Sequence, residues 1–267
     1  MITNIKKLIK NHKGAISIEF AGVVMAFTSI FYIVYDSYNT ITLQNNLERT
    51  NYTVASLFRE RSSLYPLIED TISDTEWIMN PRRTPYTAEH FKSYEIFTID
   101  QVKEAHELAK KLLNKDVSIR IDGLFIKQEV IKTLPIPERK MISFSSCSYS
   151  ACKPEIENYL NNRSDMTDTS IANKDYTKLS PYTDRIWPRT PGLDPLRGRY
   201  IPIYRVSMCI NNDESLFLKF TNRENNNNRF LPNLCSETVV ISRCHDLKYY
   251  TRGCPLYYYR PQWDKHQ

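Results

Sequence analysis

Two residues near the start of this chain, Gly14 and Glu19, have types and spacing that could carry chemistry. Glu19 is the only charged residue in an apolar run of 21 residues from Ala15 to Tyr35. Glu19 lies near the start of this run. A carboxylate at the centre of a membrane-spanning helix costs about 2.5–3.5 kcal/mol on insertion scales, so a buried carboxylate is expected to have a partner or a task. A peptide cleavage after Gly14 would remove the first 14 residues and leave the apolar run on the mature chain.

A basic leader and one apolar segment position these two residues. The leader has no acidic residue before Gly14 and contains four lysines, Lys6, Lys7, Lys10 and Lys13. The apolar run is long enough to cross a bilayer as a helix, which takes about 20 residues. A secretory signal would place its small-residue cleavage site after the apolar stretch, the reverse of the order found here. We therefore predict a leader over residues 1–14 and a transmembrane helix over residues 15–36, with a cytoplasmic N-terminus and a periplasmic C-terminal part.

The helix is predicted to continue beyond the membrane. No Pro or Gly occurs between Val23 and Tyr65, and Pro66 is the first residue after this stretch that would end a helix. Apolar positions become periodic after Asp36, which predicts an amphipathic helix over residues 37–65. Its apolar face contains Leu43, Leu47, Val54, Leu57 and Phe58, and its polar faces contain Asn45, Glu48, Arg49, Arg59 and Arg61.

Residues 66–267 are predicted to form a head of the α+β class, in which the long helix packs on an antiparallel sheet. Helical periodicity covers Gln101–Leu113, and short apolar or alternating segments predict strands at residues 117–121, 141–144, 204–210, 216–220 and 239–241. Asp122 and Gly123 are interpreted as a turn that closes the first strand. Residues 153–202 are rich in proline and poor in apolar residues, which predicts a long irregular excursion, and the polar tract at residues 222–229 is predicted to be a loop.

All six cysteines lie beyond the apolar run: Cys147, Cys152, Cys209, Cys235, Cys244 and Cys254. An even number of cysteines on the oxidising side of the membrane predicts three disulfides that staple the periplasmic head. Six cysteines allow 15 pairings, and the sequence does not choose among them. The spacing contains no Cys-x-x-Cys pair, so we expect no structural metal site.

The remaining sequence argues against an enzyme or a cofactor-binding protein. The chain has only six glycines and neither a G-x-G-x-x-G nor a P-loop motif, and His90, His106 and His245 are scattered without a catalytic or metal-ligand spacing. The formal charge of +6 includes the four leader lysines, and without them 32 basic residues face 30 acidic ones. The mature chain is therefore close to neutral, and nucleic acid is not expected as a partner.

The C-terminal residues 248–263 combine tyrosines and a tryptophan with interleaved basic residues. We interpret this tail as structural, with Cys254 joining it to the head and its tyrosines covering an edge of the sheet. The alternative is a surface that stacks on bases or sugars, as single-strand binders do.

The segment Gly14-Ala-Ile-Ser-Ile-Glu19-Phe20 resembles the processing motif of Flp-type prepilins and of TadE/TadF-like minor pseudopilins in tight-adherence (Flp/Tad) systems. Residues 201–209 are also similar to a segment of TadF-type heads, which makes TadF the better match. The resemblance implies that an inner-membrane prepilin peptidase cleaves between Gly14 and Ala15. It also implies that Glu19 is the assembly glutamate and that Phe20 replaces the tyrosine usual beside it.

From this resemblance we expect a minor pseudopilin required for the assembly or initiation of a tight-adherence pilus. Its expected partners are the prepilin peptidase, other pilins and pseudopilins, the inner-membrane assembly platform and the lipid bilayer. It would cross the bacterial inner membrane once, and incorporation into the surface pilus is a further expectation. The alternative is an uncleaved single-pass protein that anchors a periplasmic sensor or adhesin.

Overall fold

The computed structural model describes residues 12–66, 68–70, 91–129, 138–162, 166, 176–184, 198–212, 215, 233–244 and 258–259. The chain divides into two compact units. The first contains the described residues up to Asn45 together with Asn212, Ser215 and Asn233, and the second contains the other described residues.

Both helices and strands occur in the described residues. The helices are α1 (His12–Arg59), α2 (Arg61–Leu64), α3 (Ile99–Leu113) and α4 (Pro154–Asn161), and short 3-10 turns cover Tyr149–Ala151 and Tyr176–Leu179. The strands are β1 (Ile68–Asp70), β2 (Phe91–Ser93), β3 (Val117–Glu129), β4 (Glu138–Cys147), β5 (Tyr182–Asp184), β6 (Gly198–Tyr200), β7 (Ile203–Asn211), β8 (Asn233–Ile241) and β9 (Tyr258–Tyr259). The predicted α+β class is confirmed.

The second unit is built on a four-stranded antiparallel sheet in the order β4-β3-β7-β8. β3 runs through its middle, pairing with β4 on one side and with β7 on the other. In this register Ile121 lies opposite Val206 and Asp122 lies opposite Arg205, so the apolar and polar members of the two strands fall on different faces. The pairs β1–β2 and β5–β6 form separate two-stranded sheets.

One face of the sheet carries the apolar core. Phe58 of α1, Phe97 ahead of α3 and Tyr204 of β7 meet edge to face, with ring centroids 5.5–6.2 Å apart. Aromatic rings prefer this geometry because the positive edge of one ring faces the negative surface of the next. α3 starts at a capping box in which Thr98 and Gln101 satisfy each other's backbone N–H groups.

The predicted turn at Asp122–Gly123 is wrong, because β3 continues through both residues to Glu129. Asp122 is fully buried and paired with Arg205 at 2.6 Å, so it is not a turn residue. Gly123 lies beneath an aromatic ring, since a Cβ built on it would come within 2.8 Å of Phe97. The glycine makes room for Phe97 on the sheet, and its presence in mid-strand reflects this close approach.

The described part of residues 153–202 is not the irregular excursion that the sequence predicts. This segment contains α4, β5 and β6. α4 starts with Pro154 and has Glu155 and Glu157 in its first turn, a combination that favours a helix start. Its apolar residues Ile156 and Leu160 are buried.

The predicted position of Arg61 on a polar face is also wrong. α1 ends at Arg59, so its periodicity does not extend to Arg61, which is fully buried in α2. Its guanidinium donates hydrogen bonds to the Tyr94 and Ile96 carbonyls and lies 5.3–5.7 Å from three aromatic ring centroids. Burial raises the pKa of the neighbouring Tyr65 above its ordinary value, although the charge of Arg61 acts in the opposite direction.

Four of the five predicted strands are present, and each is longer than the sequence predicts. β7 covers the predicted 204–210 with one more residue at each end, whereas β4 and β8 extend several residues beyond 141–144 and 239–241. β4 includes polar residues such as Ser143 and Ser145, whose strand conformation is supported by pairing with β3 rather than by their own propensity. The predicted strand at 216–220 and the predicted loop at 222–229 lie outside the described residues.

Two disulfides close within the second unit, Cys147–Cys152 and Cys209–Cys235. Cys244 is also disulfide-bonded, whereas Cys254 lies outside the described residues. In the C-terminal tail, Tyr258–Tyr259 pair in parallel with Gln128–Glu129 of β3. This pairing agrees with the structural interpretation of those two tyrosines, and the rest of residues 248–263 is outside the described part.

Candidate membrane and assembly segment

The N-terminal part of α1 is long and apolar enough to cross a membrane, and its most apolar stretch is not buried by any described part of the chain. Ile18, Phe20, Met25 and Phe31 are each at least 70% exposed. A folded protein in water tends to bury such side chains, because removing each from water stabilises the protein by about 1.5–3 kcal/mol. The segment therefore needs a surrounding that the described chain does not provide, namely lipid or other protein.

The four residues predicted for processing and assembly lie along this helix. Gly14 and Ala15 are in its first turn, after its start at His12. Glu19 follows Ala15 by about 6 Å along the axis, at a rise of 1.5 Å per residue. The side chains of Glu19 and Phe20 are exposed. In the part of the chain that the structure describes, no residue forms a hydrogen bond or an ion pair with Glu19.

Gly22 lies on the same apolar segment, and a Cβ added to it would meet nothing within 4 Å. No described contact inside the chain therefore explains a glycine at this position. Glycine costs about 1 kcal/mol relative to alanine inside a helix, and small residues allow membrane helices to approach each other closely.

A polar contact that the sequence did not predict lies at the other end of the segment. The Ser215 hydroxyl lies 3.1 Å from Asp36 Oδ2 and 3.0 Å from Thr40 Oγ1. Thr40 is buried. The partners are 175 and 179 residues apart in sequence, so no local pattern could have indicated the contact.

Within the second unit the remainder of α1 is a packing helix, as predicted. Leu47, Val54 and Phe58 are completely buried, whereas Leu57 is only half-buried. Asn51 is buried among them, and its Nδ2 donates to the Val206 carbonyl of β7 at 3.2 Å and to Ser236 Oγ of β8 at 3.1 Å. This amide fixes the helix on the sheet with two directional bonds.

A buried charged cluster among the described residues of the head is a different candidate for a site. Asp122 accepts hydrogen bonds from Arg120 and Ser143 on one oxygen, and Arg205 donates two to the other oxygen, at 2.6–3.0 Å. Arg205 and Asp122 are buried. All of the carboxylate's acceptor capacity is directed at its own chain, so the arrangement is structural rather than a substrate site.

The Cys147–Cys152 loop carries another electrostatic feature of the described residues. Burial by itself would raise the pKa of Asp116, but hydrogen bonds from the Ser150 backbone and hydroxyl outweigh it and hold this pKa below its ordinary value. Lys110 lies 3.4 Å from the same carboxylate. These bonds anchor the loop to the end of α3. No group of three or more potential metal ligands occurs among the residues that the structure describes.

Comparison with known proteins agrees with the helix and head described above. The sequence model of one family, TadF, described as "Putative tight adherence pilin protein F", matches residues 7–243. No curated protein and no solved structure matches the chain. The match includes the apolar segment, the strands β3, β4, β7 and β8, and all four cysteines of the two closed disulfides. Because it covers most of the sequence, the chain belongs to the TadF family of tight adherence pilin proteins.

Proposed function

We propose that this protein is a minor pseudopilin that is cut between Gly14 and Ala15 by a prepilin peptidase and then takes part in assembly or initiation of the tight-adherence pilus. Membership of the family supports a structural component of this pilus rather than an enzyme. Its expected partners are other pilus subunits, the peptidase and the inner-membrane assembly platform. The N-terminus would be cytoplasmic and the head periplasmic.

The observation that carries the proposal is the exposed carboxylate of Glu19 within an exposed apolar helix. A charge in such a surrounding is costly unless it is paired. Cleavage at Gly14 would create a new amino group on Ala15. The Ala15 amine of one subunit and the Glu19 carboxylate of a neighbour have opposite charges. Their pairing would lower the free-energy cost of holding both charges in the low-dielectric environment of packed helices.

A comparison of Glu19→Ala with Glu48→Ala tests this role. Both substitutions remove one carboxylate from α1, but Glu48 lies on the exposed side of the packing helix. We expect Glu19→Ala to insert into the membrane at least as well as the wild type and to lose incorporation into sheared pili. Glu48→Ala should retain both properties. Normal pilus incorporation of Glu19→Ala would show that Glu19 is not an assembly residue.

A further inference from the structure

Three tyrosines lie on α1 where the apolar segment ends. Tyr32, Tyr35 and Tyr38 are 53%, 64% and 67% exposed. At 100° per residue their spacing of three places them on one side of the helix, within an arc of about 120°. No charged residue occurs between Glu19 and Asp36, so the tyrosines lie at the boundary between a charge-free stretch and the first carboxylate beyond it.

A different side of the helix carries polar contacts at the same level. Asp36 and Thr40, both bound to Ser215, are centred about 120° around the axis from the tyrosines. Ser215 therefore brings a polar segment of the chain to the helix at this level. Polar backbone outside a helix and a carboxylate are both costly in the hydrocarbon of a bilayer, so the hydrocarbon should end at or before Asp36.

We propose that Tyr32, Tyr35 and Tyr38 form an anchor in the headgroup region of the outer leaflet and, with the Ser215 contact, fix the depth of α1 in the membrane. Tyrosine has an apolar ring and a polar hydroxyl, and it is enriched where hydrocarbon meets water. Lipid is the expected occupant because the tyrosines continue directly from the exposed apolar segment.

The anchor also determines how deep Glu19 lies in the membrane. Seventeen residues separate Glu19 from Asp36, which corresponds to about 25 Å of helix. The hydrocarbon core of a bilayer is about 30 Å thick. With Asp36 held at the outer boundary, Glu19 lies just inside the inner margin of the hydrocarbon rather than in the cytoplasmic headgroup layer. The inference rests on the membrane-anchor part of the proposed function and is independent of cleavage and of pilus assembly.

A depth profile of the full-length protein in vesicles of phosphatidylethanolamine and phosphatidylglycerol tests the anchor. Single cysteines would replace Ile30, Val34, Ser37 and Ile41 and carry a nitroxide label. These positions share one face of α1 that contains neither the tyrosines nor the contacts of Ser215. Collision rates with oxygen, which partitions into lipid, and with a water-soluble nickel chelate report the depth of each label.

We expect the label at position 30 to collide more often with oxygen and the label at position 41 to collide more often with the nickel chelate. The two collision rates should be equal near position 37, which we call the crossing point. Replacing the three tyrosines with alanine should move the crossing point by about one helical turn, 5.4 Å. Tyr52→Ala, a change at an equally exposed tyrosine of the same helix, should leave it in place.

An Ile41 label as accessible to oxygen as the Ile30 label would overturn the boundary. An unchanged profile in the triple variant would overturn the role of the tyrosines, and a simultaneous loss of pilus incorporation would identify them as a contact with another subunit. The depth profile and the cleavage can also give different answers. If the labels show the expected depths but the protein is never cleaved, the proposed processing is refuted and the proposed membrane anchor is still supported.

Discussion

Gly123 shows how one residue without a side chain determines the packing of several others. The ring of Phe97 occupies the space above it and contacts Phe58, Phe144 and Tyr204 edge to face. A methyl group at Gly123 would come within 2.8 Å of Phe97 and 3.0 Å of Phe125. Both rings are buried, so neither can move away without disturbing its neighbours.

We therefore predict that Gly123→Ala destabilises the head by about 1–3 kcal/mol, the usual cost of an extra group in a packed core. Thermal unfolding of the detergent-solubilised protein measures the change. Gly22→Ala is the matched control, because its added Cβ meets nothing within 4 Å. If Gly123→Ala unfolds at the wild-type temperature, Phe97 does not rest on the backbone of β3.

The same residues mark the limit of sequence-based prediction at this scale. Asp-Gly after an alternating strand is a common hairpin turn, whereas contacts with distant residues such as Arg205 and Phe97 explain its place inside β3. Arg61 is similar, since its acceptors are carbonyls 33 and 35 residues away. Pairings between distant residues leave no local pattern in the sequence.

At the scale of elements, α1 combines two different surfaces. Its apolar residues are exposed between Ile18 and Ile41, whereas Leu47, Val54 and Phe58 are fully buried. Periodicity predicts this change, because the first part of the helix is apolar all round and the second part is amphipathic. The predicted α3 and β7 also agree with the structure to within two residues. α4 was missed, although Pro154 and the two acidic residues after it are a start signal.

A pair of substitutions within α1 tests this division. Phe58→Ala should destabilise the head by about 3–5 kcal/mol, since it removes a buried ring from the aromatic core. Phe31→Ala makes the same chemical change at a side chain that is 71% exposed and should leave the unfolding of the head unchanged. Equal effects of both changes on thermal unfolding would show that the apolar part of α1 also packs on the head.

At the scale of the whole molecule, disulfides reinforce the head. Cys209–Cys235 connects β7 to β8 and closes a separation of 26 residues, whereas Cys147–Cys152 closes one of only five. A longer closed loop restricts the unfolded chain more, so the first bridge should contribute about 3.5 kcal/mol and the second about 2 kcal/mol.

We predict that replacing Cys209 and Cys235 with serine lowers the unfolding temperature more than replacing Cys147 and Cys152. Peptide mapping of the protein isolated without reductant should identify both bridges and a third between Cys244 and Cys254, because Cys254 is the one cysteine left to pair with Cys244. Two or more alkylatable thiols under these conditions, or the opposite order of destabilisation, would contradict this account of the head.

For the whole chain, we propose that the protein is a processed pseudopilin rather than a permanently anchored periplasmic protein. The intact mass of the protein extracted from the membrane tests this most directly. The wild type should have the mass of a chain that begins at Ala15, and Gly14→Leu should have the full-length mass, because the peptidase must accommodate a small side chain before the cut. A full-length wild-type protein, or normal shortening of Gly14→Leu, would contradict the account.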